Sequence, residues 1–255
     1  MLILAIGDVI GKPGRQAVAR FLPELREQYG VDFTVVNAEN VAGGIGVTPE
    51  TAAELLNAGA DVLTSGNHIW AHKDILPVLD SETPLLRPLN YPPGVPGRGF
   101  IIIKGVLVVN LIGRTFMGNY DCPFRTMDRL LEELPDRPPV VAVDFHAEAT
   151  SEKVAMGHYL DGRVSAVLGT HTHVGTIDAR ILPKGTAHVT DIGMTGPIDS
   201  IIGDEPREVL DRFLTQLPSR LSAARGKTVL NAILVRVDDA TGRALTIERI
   251  QRETD

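Results

Sequence analysis

The chain has 255 residues, of which 44% are hydrophobic and 22% are charged, a composition typical of a globular protein with a sizeable core. Its formal net charge of −7 argues against a broad nucleic-acid-binding surface, but it allows a small phosphorylated substrate held by local cations. With one cysteine, Cys122, the chain can form neither an internal disulfide nor a cysteine-rich zinc site.

No apolar stretch approaches the roughly 20 residues that a membrane-spanning helix needs. The apolar start, Met1–Ile6, is too short for the core of a signal peptide. We therefore expect a protein of the cytoplasm that has no membrane partner. The candidate ligands described below spread over positions 8 to 173 and must converge, so we predict a single domain over residues 1–255.

The first part of the chain alternates short apolar runs with helical patterns. We predict strands at 2–7, Asp32–Asn37 and Asp61–Ser65, and helices over 11–30, from the N-cap Thr48, and over about Ala71–Asp80. Pro13 suits a first helical turn, and Gly30 is a typical C-terminal stop. This βαβαβ order predicts parallel strands joined by right-handed crossovers.

The rest of the chain predicts a second set of strands. Thr83–Gly99 reads as an irregular connection before a hairpin, and the pattern after Thr176 predicts antiparallel strands. The predicted strands are Phe100–Lys104, Val106–Ile112, Val140–Phe145, Ser165–Gly169, Ala179–Leu182, Ala187–Thr190, Leu230–Val237 and Ala244–Ile250, and the predicted helices are Pro123–Leu134, Thr150–Tyr159 and Pro206–Leu217.

Five of the apolar runs stop directly before polar residues that can bind metal ions. These residues are Asp8, then Glu39 and Asn40, then Asn67 and His68, then His146, and finally His171 and His173. In α/β sheets, ligands bind in the crevice beyond the carboxyl ends of the strands. The pattern therefore predicts one rim that carries carboxylates, amides and imidazoles, which is the outline of a two-metal hydrolase site.

Taken singly, these positions have ordinary structural explanations. Asp8 suits a turn or a helix cap equally well, and a lone histidine such as His146 is more often structural. His171 and His173 give the strongest local signal, because side chains at i and i+2 of an extended loop face the same side. The pair can hold one metal ion or two neighbouring ones.

Asn67 and His68 are adjacent and point in different directions, so one would bind metal and the other would face substrate.

Other known motifs fit this sequence less well. The His146-Ala-Glu148 triplet matches half of the zinc deaminase signature, but the second half, P-C-x-x-C, is missing. Gly11-Lys12 is not a phosphate-binding loop, because Pro13 stands where Ser or Thr is required.

Together these blocks resemble the calcineurin-like metallophosphoesterases, and within them the bacterial YmdB-like phosphodiesterases. The similar blocks are the early Gly-Asp, NAENVAGGIGVT, SGNHIW, DFHAEATSEK, GTHTHVGT and TDIGMTGP, which extend from residue 7 to about 203. The resemblance implies an α/β fold in which two stacked mixed β-sheets are flanked by helices, a four-layer α/β/β/α sandwich.

The resemblance also implies a role for each site residue. Asp8, Glu39, Asn40 and His173 would hold one metal ion, and Glu39, Asn67, His146 and His171 the other. Glu39 would bridge the two, and His68 would be the general acid. Two positions depart from the wider superfamily: Ile10 replaces the usual histidine of D-x-H, and Glu39 replaces the usual aspartate. Oxygen in place of nitrogen makes the first site harder, which favours iron or manganese.

The implied activity is hydrolysis of phosphodiesters, chiefly 2′,3′-cyclic nucleotides such as 2′,3′-cAMP or related RNA-derived diesters. A hydroxide between two metal ions would attack phosphorus, and His68 would protonate the leaving group. Asp144, Glu148 and Thr170 are candidate hydrogen-bond partners of the ligands. Two alternatives stay open: a metal-dependent hydrolase of another bond, and a regulatory or RNA-binding protein without turnover. The oligomeric state is open as well, although homo-oligomers are common.

Overall fold

The computed structural model describes residues 1–254, and in this range six helices and twelve strands form. The helices are α1 (Gly11–Tyr29), α2 (Pro49–Asn57), α3 (Leu76–Leu79), α4 (Pro123–Glu133), α5 (Thr150–Leu160) and α6 (Pro206–Thr215). The strands are β1 (Leu2–Ile6), β2 (Phe33–Asn37), β3 (Val62–Thr64), β4 (Phe100–Ile103), β5 (Val106–Ile112), β6 (Val140–His146), β7 (Ala166–Thr170), β8 (Arg180–Ile181), β9 (Ala187–Val189), β10 (Gly196–Pro197), β11 (Thr228–Val237) and β12 (Ala244–Glu253).

The strands form two mixed sheets. The first has the order β10-β11-β1-β2-β3, with β12 paired to β11, and its β1, β2 and β3 are parallel. The second has the order β4-β5-β6-β7-β9-β8, and its four central strands are parallel. The carboxyl ends of β1, β2 and β3 in the first sheet and of β6 and β7 in the second supply the residues described below.

Alternating side chains of β1 show how the layers stack. Leu4 and Ile6 pack into the cluster beneath α1 and α2, whereas Ile3 and Ala5 pack between the two sheets. A third cluster joins the outer face of the second sheet to α4 and α5, with Phe145 at its centre. Helices therefore cover both outer faces, and the predicted sandwich of two mixed sheets flanked by helices is confirmed.

The helix boundaries follow the local signals. Gly30 ends α1 in the left-handed conformation, with φ of 67°, and Thr48 caps α2 through a hydrogen bond from the Thr51 backbone N–H. Within residues 1–254, none of the helices is both long enough and apolar enough to span a membrane.

Two predictions about the elements were confirmed only in part. The helix expected over 71–80 is a 3-10 turn, Lys73–Ile75, followed by the four-residue α3. Pro77 lacks a backbone N–H, so a longer helix that starts at Ala71 would lose one of its hydrogen bonds at this position. The antiparallel pairing predicted after Thr176 holds for β8 with β9 and for β11 with β12, but β9 also pairs in parallel with β7. The chain after β7 turns back through β8 before β9 joins the sheet.

Candidate metal centre

All eight residues selected from the strand ends lie at one edge shared by the two sheets. The loops after β1, β2 and β3 supply the first five of them, β6 ends at His146, and His171 and His173 follow β7. Most of the group is buried: Asp8 and His146 are 0% exposed and Glu39 is 1% exposed. The topology alone brings together side chains as distant in sequence as Asp8 and His173.

Four of these residues form what we call the nitrogen-rich group: Glu39, Asn67, His146 and His171. The contacts centre on His146 Nε2, which lies 3.1 Å from Glu39 Oε1, 3.2 Å from Asn67 Oδ1 and 3.0 Å from His171 Nδ1. Two imidazole nitrogens, a carboxylate oxygen and an amide oxygen thus converge on one point. This donor set is typical of a transition-metal site.

The remaining ligand candidates form the oxygen-rich group: Asp8, Glu39, Asn40 and His173. His173 Nε2 lies 4.0 Å from Asp8 Oδ1 and 3.5 Å from Asn40 Nδ2. Flipping the Asn40 amide satisfies it better: its nitrogen then donates to Glu39 Oε1 over 3.0 Å, and its oxygen takes the position beside His173. Glu39 therefore belongs to both groups, which is the arrangement that a bridging carboxylate requires.

A buried chain of hydrogen bonds orients His146. Its Nδ1 lies 2.9 Å from Thr170 Oγ1, and the Thr170 hydroxyl donates to Asp144 Oδ1 over 2.7 Å. Asn37 Nδ2 and the Thr64 hydroxyl both donate to Asp144 Oδ2. Because the Thr170 hydrogen is committed to Asp144, its oxygen accepts from His146 Nδ1, and Nε2 keeps its lone pair for the site.

The other two imidazoles are held from outside in the same manner. His171 Nε2 lies 3.1 Å from Glu148 Oε2, and His173 Nδ1 lies 2.6 Å from the Ile202 carbonyl oxygen. In each ring one nitrogen is occupied and the other faces the group. All three residues expected to be hydrogen-bond partners of the ligands therefore lie near them. Thr170 contacts His146 and Glu148 contacts His171 directly, whereas Asp144 acts through Thr170.

The loop that carries His171 and His173 is not extended, contrary to the prediction. Both residues have left-handed backbone conformations, with φ of 100° and 64°. Non-glycine residues adopt this region at a cost, and the surrounding structure must hold them there. The consequence is that the two rings enter different groups, one nitrogen-rich and one oxygen-rich.

A buried ion pair anchors this loop at Thr172. Asp191 Oδ2 accepts hydrogen bonds from Thr172 N over 3.1 Å and from Thr172 Oγ1 over 2.8 Å. The same oxygen lies 2.6 Å from Lys153 Nζ of α5, and neither side chain is more than 1% exposed. The sequence motifs gave no role to these two residues. The sequence did contain a hint for Lys153, because this lysine lies on the same face of α5 as the apolar Met156 and Leu160 and is buried with them.

Gly66 is required by close approach. A Cβ atom at this position would lie 2.2 Å from both Glu39 Oε2 and His146 Nε2. Any other residue would push apart the carboxylate and the imidazole that the nitrogen-rich group brings together. This explains the glycine in the Ser-Gly-Asn-His motif.

The charges within the site are strongly coupled. Burial alone would raise the pKa of Glu39, but the charge and hydrogen bond of His146 lower it to about 2. Burial opposes protonation of His146, but Glu39 and Asp8 raise its pKa to about 9. Burial, together with His146, lowers the pKa of His171 to about 3. A proton on His146 thus pairs with Glu39, and a metal ion that binds here must displace it.

The donor set fits two metal ions. Burial raises the pKa of Asp8 to about 6, and its Oδ1 has no hydrogen-bond partner within residues 1–254. Leaving a buried acceptor without a partner costs about 1–3 kcal/mol. A cation held by Asp8, Asn40 and His173 would remove this penalty, just as a second would satisfy the imidazole lone pairs of the nitrogen-rich group.

A cleft of about 680 Å³ opens onto both groups, and we call it the active-site cleft. Glu39, Asn40, His68, His171 and His173 form its floor. The side chain of His68 is 34% exposed, and its backbone N–H donates to Glu39 Oε2 over 3.3 Å. His68 is therefore placed beside the groups while its ring remains accessible. The opposite wall includes Arg212 and Arg220, which the motifs did not identify.

Comparison with known proteins shows the family of this chain. A family profile described as YmdB-like protein matches residues 4–250. The 2′,3′-cyclic-nucleotide 2′-phosphodiesterase of Bacillus subtilis (strain 168) is 49% identical over 254 residues, which cover 98% of this chain and 96% of the relative.

Solved structures show the same fold. A hypothetical protein from Thermus thermophilus superposes with a TM-score of 0.94 at 48% identity, with 100% of each chain covered. A protein described as a novel phosphatase, from Mycoplasma pneumoniae, superposes with a TM-score of 0.93 at 33% identity over 99% of this chain and 93% of that one. The family and the enzyme class predicted from the motifs are confirmed, and the chain belongs to the YmdB-like protein family.

Proposed function

We propose that this protein is a dinuclear metal-dependent phosphodiesterase that acts on 2′,3′-cyclic nucleotides, such as 2′,3′-cAMP, or on related RNA-derived diesters. The observation that carries the proposal is the sharing of Glu39 between two ligand groups, with His68 beside them at the floor of an open cleft. The name of the Bacillus subtilis relative supports the choice of substrate.

The nitrogen-rich group would hold one metal ion and the oxygen-rich group the other. When bound, such a pair supplies a hydroxide at neutral pH and neutralises charge on the phosphoryl oxygens. The oxygen-rich group offers carboxylate and amide oxygens with a single imidazole, from His173, which favours iron or manganese. The cytoplasmic location, the small diester as substrate, the absence of a membrane partner and of an extended nucleic-acid surface, and the single domain remain predictions, and the oligomeric state stays open.

His68 is proposed as the general acid. Hydrolysis adds a water oxygen to phosphorus and breaks one P–O ester bond, and the leaving alkoxide must take up a proton. The accessible ring of His68 faces the cleft, while its backbone is tied to Glu39. A positioned proton donor of this kind typically contributes about 10²–10⁴-fold to the rate.

The first test is elemental analysis of the purified protein, together with turnover of 2′,3′-cAMP before and after chelation. We expect close to two iron or manganese ions per chain, loss of activity on chelation and recovery when metal is added back. Metal content near zero, with no rescue by any divalent ion, would refute the proposal.

The second test separates His68 from the ligands. His68→Ala should keep the metal content and lose about 10²–10⁴-fold in turnover of 2′,3′-cAMP, but much less on an activated aryl ester, whose leaving group needs no proton. His158→Ala, an exposed histidine of α5, is the matched control. An equal loss on both esters would contradict the general-acid role.

A further inference from the structure

A second cleft lies beside the active-site cleft, and we call it the outer cleft. It also has a volume of about 680 Å³, and it lies against the first turns of α1 and the segment that precedes β11. Gly43 lines both clefts, so the two spaces are neighbours at this residue. A Cβ atom at Gly43 would find nothing within 4 Å, so the space over this boundary residue is open to a bound chain.

The outer cleft is basic although the chain as a whole is acidic. Its lining includes Lys12, Arg20 and Arg225, and among residues 1–254 it includes no Asp or Glu. Lys12 and Arg225 are exposed, and neither forms an ion pair with any residue in the range 1–254. With a formal net charge of −7, the protein concentrates positive charge in a place where an anion would be attracted.

The active-site cleft carries both signs of charge, since its lining includes Glu39, Glu148 and Asp204 as well as two arginines. Arg212 and Arg220 line its wall, and Arg220 forms no ion pair within residues 1–254. A cyclic mononucleotide carries a single phosphate, which the metal centre would bind. Pockets for small ligands measure about 300–1,000 Å³, so the active-site cleft alone accommodates one nucleotide. Lys12 and Arg225, in the outer cleft, would not contact a mononucleotide bound in this way.

We propose that the outer cleft binds backbone phosphates of a short single-stranded oligoribonucleotide whose terminal 2′,3′-cyclic phosphate lies at the metal centre. The proposal rests on the function proposed above and makes its substrate class more specific. The described lining of the outer cleft contains no aromatic side chain on which a base could stack. The outer cleft would therefore recognise the phosphates and not the bases, so it should accept RNA of any nucleotide sequence.

The test compares a tetraribonucleotide that ends in a 2′,3′-cyclic phosphate with 2′,3′-cAMP, using the metal-loaded full-length protein. The wild-type protein should show a KM for the tetranucleotide at least about tenfold below that for 2′,3′-cAMP. We define the preference as kcat/KM for the tetranucleotide divided by kcat/KM for 2′,3′-cAMP. The double variant Lys12→Ala/Arg225→Ala should lower this ratio about tenfold. Each removed cation should also reduce the slope of log KM against log salt by about 0.7.

Arg129→Ala serves as the charge control, because Arg129 is exposed on α4 and lines neither cleft. Equal KM values for the two substrates in the wild-type protein, or an equal change of the ratio in the control, would overturn the proposal. If the wild-type protein hydrolyses neither substrate, the proposed function fails. A binding measurement then tests separately whether the outer cleft holds RNA phosphates. A labelled tetranucleotide with a 3′-phosphate end should bind the wild-type protein at least tenfold more tightly than the double variant, and equal affinities would exclude the outer cleft.

Discussion

The two ligand groups share Glu39 but are built differently. In the nitrogen-rich group, contacts to His146 Nε2 measure 3.0–3.2 Å, and a buried chain through Thr170 and Asp144 fixes the ring. In the oxygen-rich group, the contacts of His173 Nε2 measure 3.5 and 4.0 Å, and its other nitrogen meets a loop carbonyl. The first half is supported from behind by strand residues that hold His146, and the second by a loop carbonyl that holds His173.

This difference indicates how the two halves should respond to metal. In the nitrogen-rich group the donor atoms are already close together, so binding a cation costs little free energy of reorganisation. In the oxygen-rich group the donor atoms are farther apart and must move inward when a cation binds. We therefore expect the nitrogen-rich group to bind the tighter metal ion and the oxygen-rich group to release its ion first on chelation. The variants below test that order, from the largest expected effect to the smallest.

Glu39→Ala should have the largest effect because one side chain serves both halves. We expect loss of both metal ions and a fall in activity of at least about 10³-fold, since metal stabilisation of the transition state is worth several kcal/mol and about 1.4 kcal/mol is a factor of ten. Metal content and turnover of 2′,3′-cAMP are the measurements. Glu133→Ala, on the exposed side of α4, is the control. Two metal ions retained in Glu39→Ala would refute the bridging role.

Asp8→Ala should separate the halves. As a ligand candidate Asp8 belongs to the oxygen-rich group, and its hydrogen bond with the other half runs from the His171 backbone N–H to its Oδ2, over 3.1 Å. We therefore expect the variant to keep close to one metal ion per chain, while Asn67→Ala weakens the other half instead. Stoichiometry after dialysis and the rate of metal release to a chelator report the difference. If Asp8→Ala loses both ions at equal rates, the two halves are not independent and the proposed order of binding is wrong.

The sequence was sufficient to select every residue of the two groups. The reason is physical: apolar runs mark buried strands, and parallel strands place their carboxyl ends on one edge. Asp8, Glu39 and His146 could therefore be assigned to the same rim without knowledge of the sheet order. The roles of these residues came from the family resemblance and not from the spacing.

The sequence was not sufficient for features that depend on distant contacts. The left-handed backbone of His171 and His173 is held by Asp191, about 20 residues later, and no local pattern predicts it. The parallel pairing of β9 likewise depends on where the chain returns after β7. Lys153 shows the limit clearly, because a lysine on the buried face of a helix indicates a charged partner but does not identify Asp191.

The Lys153–Asp191 pair offers a test that acts on both halves together. Asp191→Asn leaves Lys153 buried without a counter-charge, which should cost about 3–5 kcal/mol of unfolding free energy, and Lys153→Met/Asp191→Asn should recover most of it. Both variants weaken the anchor of Thr172, between His171 and His173, so we expect metal dissociation constants to rise about 10–100-fold in each. Urea unfolding and metal titration measure the two effects. Wild-type affinity in the double variant would show that the pair supports stability alone.

Thr170→Val should have the smallest effect, and it should be confined to one half. The substitution keeps the size of the side chain but removes the acceptor of His146 Nδ1, while Asp144 keeps its bonds from Asn37 and Thr64. We expect up to about tenfold weaker binding of the tighter metal ion, the lower end of the usual effect of an outer hydrogen-bond partner. The weaker ion should be unaffected, and so should both ions in the control Thr246→Val, on the exposed face of β12. Equal weakening of both ions would mean that Thr170 acts on the whole edge of the sheets, and the separate support of the nitrogen-rich group would then be refuted.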